Sequence, residues 1–219
     1  SRDWSSDVCS SDLRCFAIKT IELKGADSLP APDRERLLKP HIGQCLGVPQ
    51  LNCLAGKAPA GVDAAVLRRT FVENLRFAAA ALKMAKLRLL IEPINRFDMP
   101  GYYLERLEQA LALREEVGEK NLAIQLDLYH AQRTQGELAA TLAQHLAQIG
   151  HIQIADNPGR HEPGSGEINY AYLFQHLDRL GYSGWVGCEY RPASTTQAGL
   201  GWLHALTDGD ARVTLLGLT

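Results

Sequence analysis

From residue 50 onward, short apolar runs alternate with longer stretches whose apolar residues recur every three or four positions. Gln50–Leu54 reads as a strand, followed by Ala55-Gly56 and a loop containing Gly and Pro. Asp63 is placed to cap a helix running to Lys86, because Leu67, Phe71, Leu75, Ala78, Leu82 and Ala85 fall on one face. Arg88–Glu92 is the next expected strand; Pro93 keeps Glu92 extended and stops any helix there. Leu104, Leu107, Leu111, Arg114 and Val117 predict a helix over 103–117 that stops at Gly118. Leu122–Asp127 reads as a strand, 136–149 as a helix with Leu138, Leu142, Leu146 and Ile149 on one side, and His151–Ala155 as a strand. A Gly- and Pro-rich loop over 156–168 precedes a helix at 170–180, a strand at Trp185–Glu189 and a last helix from Thr196 to Leu206.

Five strands, each followed by a helix, imply parallel strands joined by helical crossovers. A doubly wound sheet and a (β/α)8 TIM barrel both fit this alternation. No GxGxxG joins the first strand to a helix, so the nucleotide-binding version of the former lacks its support. A full barrel needs eight units and roughly 250 residues. The expectation is an α/β chain forming an incomplete TIM barrel that lacks its first three strands. Residues 14–49 offer one strand (Cys15–Leu23) and one helical stretch (33–46). Residues 1–13 repeat Ser-Ser-Asp and show no period. They read as a disordered or non-native tail, similar to a translated sequencing adaptor joined to a truncated gene. The expected organisation is therefore a tail, 1–13, and a single partial barrel domain, 14–219.

Composition narrows the function classes. The chain of 219 residues is 46% hydrophobic and 22% charged, values of one globular domain. Lys plus Arg number 23 and Asp plus Glu 25, a net charge of −2. That argues against a nucleic-acid partner bound by a broad basic surface and against a polybasic membrane face. No apolar run reaches the roughly 18 residues of a membrane span. The five cysteines form no CxxC pair and read as idle thiols of a reducing compartment. With no signal-peptide pattern, the expected location is cytoplasmic. A homo-oligomer is compatible with all of this.

The candidate chemistry sits at the strand ends. Leu89-Leu90-Ile91-Glu92, Ile124-Gln125-Leu126-Asp127 and Gly187-Cys188-Glu189 each finish in a carboxylate, and His151-Ile152-Gln153 carries an amide. The spacings of 35, 26 and 36 residues are each about one strand–helix unit. In a parallel barrel such ends converge on the C-terminal face. Three carboxylates there repel one another unless a cation lies between them, and oxygen ligands favour Mg²⁺ or Mn²⁺. A lone acidic residue at a strand end also serves as a helix cap, so each position has a second reading. His130 suits a substrate hydroxyl or a backbone bond. Arg160 and His161, in the long loop, suit a substrate carboxylate or solvent. Asn95 and Asp98 follow Glu92 as supporting groups. His151 shares a side of its strand with Gln153 and reads as core or support.

Ile91-Glu92-Pro93-Ile94-Asn95, Gln125–His130, His151–Asp156, Gly159–Gly164 and Gly187–Tyr190 together resemble the hydroxypyruvate isomerase family. That family includes the 2-oxo-tetronate isomerases, within the xylose-isomerase-like TIM barrels. The resemblance covers residues 48–203. It implies that Glu92, Asp127, Gln153 and Glu189 ligate a divalent metal and that Glu92 and Glu189 form the acid/base pair. It further implies a small 2-oxo acid substrate, isomerised through an enediolate. A ketose 3-epimerase of the same superfamily is the alternative, although that pattern has His where Gln153 stands. An endonuclease on this barrel needs more metal-facing histidines and a basic groove. An inactive truncated copy is the third alternative.

Overall fold

The apolar runs become five parallel strands of one sheet: β1 Gln50–Cys53, β2 Arg88–Ile91, β3 Leu122–Asp127, β4 Ile149–Ile154 and β5 Val186–Cys188. The computed structural model describes residues 48–203. The tail 1–13, the strand expected at Cys15–Leu23 and the helix expected over 33–46 lie outside the described residues. Strand order in the sheet equals order in the chain. Crossovers of one hand in strictly sequential order place every helix on the same face, and such a sheet curls into a barrel. A doubly wound sheet instead reverses its order at a switch point. The described strands are thus an arc of a TIM barrel.

The helices are α1 Ala64–Met84, α2 Leu107–Val117, α3 Leu128–Thr134, α4 Leu138–His145, α5 Tyr170–Arg179 and α6 Thr196–Gly199. Asp63 caps α1 as expected, accepting from the backbone N–H of Ala65 and Val66. The buried stripe of α1, including Phe71, Leu75, Ala78 and Leu82, packs on Leu51, Leu89 and Ile91. Burial of each large side chain there contributes roughly 1.5–3 kcal/mol. Among the described residues, no helix is long and apolar enough to cross a membrane.

Three expectations shift. The helix expected over 103–117 starts only at Leu107. Leu104 is buried ahead of it, where its carbonyl accepts from Ile94 N–H and the Tyr103 N–H donates to Gly56. The helix expected over 136–149 is shorter: α4 starts only after a left-handed break at Gly136 and Glu137, and a 3-10 turn over Leu146–Gln148 ends it. Its expected last residue, Ile149, opens β4 instead. A helix not expected, α3, precedes α4 and begins directly after β3 because Asp127 caps it. The last helix is seen over Thr196–Gly199; its expected stretch beyond residue 203 is outside the described residues.

The start of β4 sets the register of the site. Ile124 pairs with Ile149, but Gln125 pairs with His151, so Gly150 is an extra residue in the ladder. A Cβ at Gly150 would lie 2.7 Å from Leu90 Cδ2 and 3.0 Å from Ala123 Cβ, so any side chain there requires its neighbours to shift. The shift sets His151 beside Gln125 and Gln153 beside Asp127. One face of the sheet (Leu51, Leu89, Ile91, Ile124, Leu126, Ile152, Ile154) joins the helices in the core. The alternating positions, Asn52, Gln125, Asp127, His151 and Gln153, give the other face its polar character, with Glu92 just past β2.

Candidate active site

Asp127, the last residue of β3, caps a helix with one carboxylate oxygen and turns the other toward the polar cluster. Its Oδ1 caps α3, accepting from Tyr129 N–H at 2.9 Å. Its Oδ2 lies 3.4 Å from Arg160 Nη2 and 3.6 Å from His130 Nε2. Burial pushes the Asp127 carboxyl up to about 7; the Glu189 charge adds to this, and Arg160 and the backbone donors oppose it. Glu92 is also buried. Its Oε2 accepts from Asn52 Nδ2 at 2.7 Å and from Gln125 Nε2 at 2.8 Å. Burial, then the charges of Asp127 and Glu189, hold its carboxyl well above the usual range.

Gln153 and Glu189 reach this pair through intermediaries. Gln125 Nε2 donates a second bond to Gln153 Oε1, at 2.6 Å. Glu189 follows β5, with its N–H donating to the Ile154 carbonyl and its side chain half exposed. Arg160 Nη2 lies 3.3 Å from Glu189 Oε1, so one guanidinium nitrogen spans Asp127 and Glu189. Arg160 adopts φ 59 in a loop pinned by Asp156, whose carboxylate accepts from the N–H groups of Asn157, Gly164 and Ile168.

The supporting residues divide. Asn95 Oδ1 accepts from the N–H of Phe97 and Asp98, which fixes its amide nitrogen toward His130 Nδ1 at 2.6 Å. Nδ1 is therefore an acceptor, and the hydrogen of the neutral ring is on Nε2, toward Asp127. Burial, aided by Arg160, lowers the His130 pKa to about 3. One ligand atom each of Glu92, Asp127 and His130 lies within 4.8 Å of the others. In this tautomer His130 is a donor to an oxygen rather than a metal ligand. Asp98 pairs with Arg133 and accepts from Asn95. His161 is not brought into the cluster; its Nδ1 donates to the Arg191 carbonyl at 2.8 Å, tying two loops together. His151 lies beside Gln125 with its Nδ1 unpartnered, and burial lowers its pKa.

Two residues of the cluster were not singled out from sequence, Asn52 and Gln125. The strand alternation could have found Gln125, two residues before Asp127 and so on the same face.

Buried carboxyls that repel one another and offer mainly oxygen atoms fit a hard divalent cation. Cation binding must then displace the protons that burial retains on Glu92 and Asp127. Calorimetric titration with Mn²⁺ at pH 7 in buffers of differing ionisation enthalpy should show net proton release. The affinity should rise with pH through about 7, the Asp127 value.

This arc of parallel strands, with carboxylates at the C-terminal ends on its polar face, defines a β/α-barrel protein with the barrel's usual placement of a site. Residues 39–206 match the xylose isomerase-like TIM barrel family, and the chain belongs to it. It is 54% identical over 163 residues to hydroxypyruvate isomerase of Escherichia coli, covering 74% of this chain and 63% of that protein. It is 49% identical over 178 residues to 2-oxo-tetronate isomerase of Cupriavidus necator, covering 78% and 68%. The chain thus spans less than two thirds of the length of the first of these relatives. A solved structure, AP endonuclease, family 2 from Brucella melitensis, superimposes with a TM-score of 0.77 at 37% identity, covering 84% of this chain and 70% of that one.

Proposed function

We propose that the protein is an isomerase of a small 2-oxo hydroxy acid, interconverting hydroxypyruvate and tartronate semialdehyde or the 2-oxo-tetronate homologue. The observation that carries this reading is Arg160 lying between buried Asp127 and half-exposed Glu189. A guanidinium there suits a substrate carboxylate, and the named relatives isomerise acids of this kind.

In hydroxypyruvate a proton leaves C3, next to the keto carbon, and one is delivered to C2, while the O3 hydroxyl proton passes to O2. The C2 carbonyl becomes a hydroxyl and C3 an aldehyde, so atoms and electrons balance. Glu92 and Glu189 are the pair that takes and returns the carbon-bound proton. His130 Nε2–H donates to a substrate oxygen, held in that tautomer by Asn95. Arg160 orients the carboxylate. Glu92, Asp127, Gln153 and Glu189 would hold Mg²⁺ or Mn²⁺, which when bound offsets the negative charge of the enediolate oxygens. The reading places the enzyme in the cytoplasm, acting on a soluble metabolite.

The test is an assay with hydroxypyruvate and Mn²⁺, with tartronate semialdehyde as the expected product. Epimerisation of a free ketose with hydroxypyruvate left untouched would overturn the reading. Arg160→Ala should mainly raise KM, by about 10-fold or more, because a carboxylate clamp acts in ground and transition states alike. Initial-rate kinetics separate that from a fall in kcat.

A further inference from the structure

We propose that Gln125 is a positioning residue, whose single amide nitrogen holds both Glu92 and Gln153 and so sets where the second oxygen of Glu92 and the amide of Gln153 point. Only a residue of β3 neighbours both β2 and β4. Gln125 is buried on the polar face, and its Nε2 donates to Glu92 Oε2 at 2.8 Å and to Gln153 Oε1 at 2.6 Å. Both partners are acceptors, so the position demands two N–H donors on one atom and no charge. A carboxylate there would add repulsion, and Asn, one methylene shorter, would not span both neighbours.

The consequence falls on Glu92. Its Oε2 is saturated by Gln125 and Asn52, which leaves Oε1 for a cation or a substrate. Asn52 donates to that carboxylate even though its own Oδ1 is buried without a hydrogen-bond partner, so its orientation follows Glu92. On the other side, the same nitrogen fixes which end of the Gln153 amide faces the cluster. Gln125 thereby links two residues of the metal set proposed above, and the inference rests on that reading for its metal arm alone.

The test uses the whole chain and Gln125→Met, which keeps the volume and removes both donors. Its crystal structure should show the Glu92 and Gln153 head groups displaced. Its Mn²⁺ dissociation constant should rise by about 10- to 100-fold, the range for partners that orient metal ligands. Adding Gln153→Ala should weaken binding by less than the two single losses combined, since one replacement already breaks the link. Unmoved head groups together with unchanged Mn²⁺ affinity would overturn the proposal. If the wild type binds no Mn²⁺, the metal reading fails and the crystal structure still decides the role of Gln125. Should the variant not fold, amide exchange in the wild type decides. The Gln125 side-chain protons should exchange at least about tenfold more slowly than those of exposed Gln197, and equal rates would refute the two bonds.

Discussion

Glu92→Gln should lower hydroxypyruvate turnover by on the order of 10²-fold or more, and Glu189→Gln should do the same, since each removes one member of the proton-carrying pair. The replacement at Glu92 is close to isosteric, and its amide oxygen can still accept from Asn52 and Gln125. The fold should therefore persist. Removing a carboxyl that burial holds well above its usual pKa should raise the melting temperature at pH 8 without metal. Lost turnover with a retained or higher melting temperature separates loss of chemistry from loss of structure. Normal turnover with both glutamates replaced would end the proposed mechanism.

Asp127→Asn should weaken Mn²⁺ binding by more than about 10²-fold, beyond the effect of a supporting residue. It should also stabilise the metal-free protein at pH 8. The folded Asp127 carboxyl titrates near 7, above its ordinary 3.8, so the folded chain binds that proton more tightly than the unfolded one. That contribution is fully present below about pH 4 and is lost as pH rises through 7. The Asp127→Asn chain has no such loss, and its advantage at pH 8 should be on the order of 1–4 kcal/mol. The amide oxygen can still cap α3. Asp127→Ala loses that cap and should forgo about 0.5–2 kcal/mol of the gain. Melting curves of the three proteins at pH 5.5 and pH 8 read this directly.

The barrel was legible because five apolar runs alternate with helical patterns, and the strand ends were legible because Glu92 and Asp127 terminate such runs. Gln125 was hidden inside one, in Ile124-Gln125-Leu126-Asp127, where a polar residue on the inner face looks like an interruption. α3 leaves no signal in the sequence because its seven residues are too few to show a helical period and its cap is also a candidate ligand. The start of β4 is not legible because Gly150 adds a residue to the ladder, a pairing property that one strand's sequence does not express. The tautomer of His130 depends on Asn95, which in turn is oriented by two backbone N–H groups of its own loop. That chain of dependence exists only once the strands are side by side. His161 illustrates the converse: its position in the loop suited a substrate, but the fold gives its Nδ1 to the Arg191 carbonyl.

NMR of hydroxypyruvate incubated in D₂O with the protein and Mn²⁺ should show tartronate semialdehyde carrying deuterium at C2, formed by the wild type and not by Glu92→Gln. Hydroxypyruvate left unchanged by the Mn²⁺-loaded wild type, while a free ketose is epimerised, would contradict the proposed function.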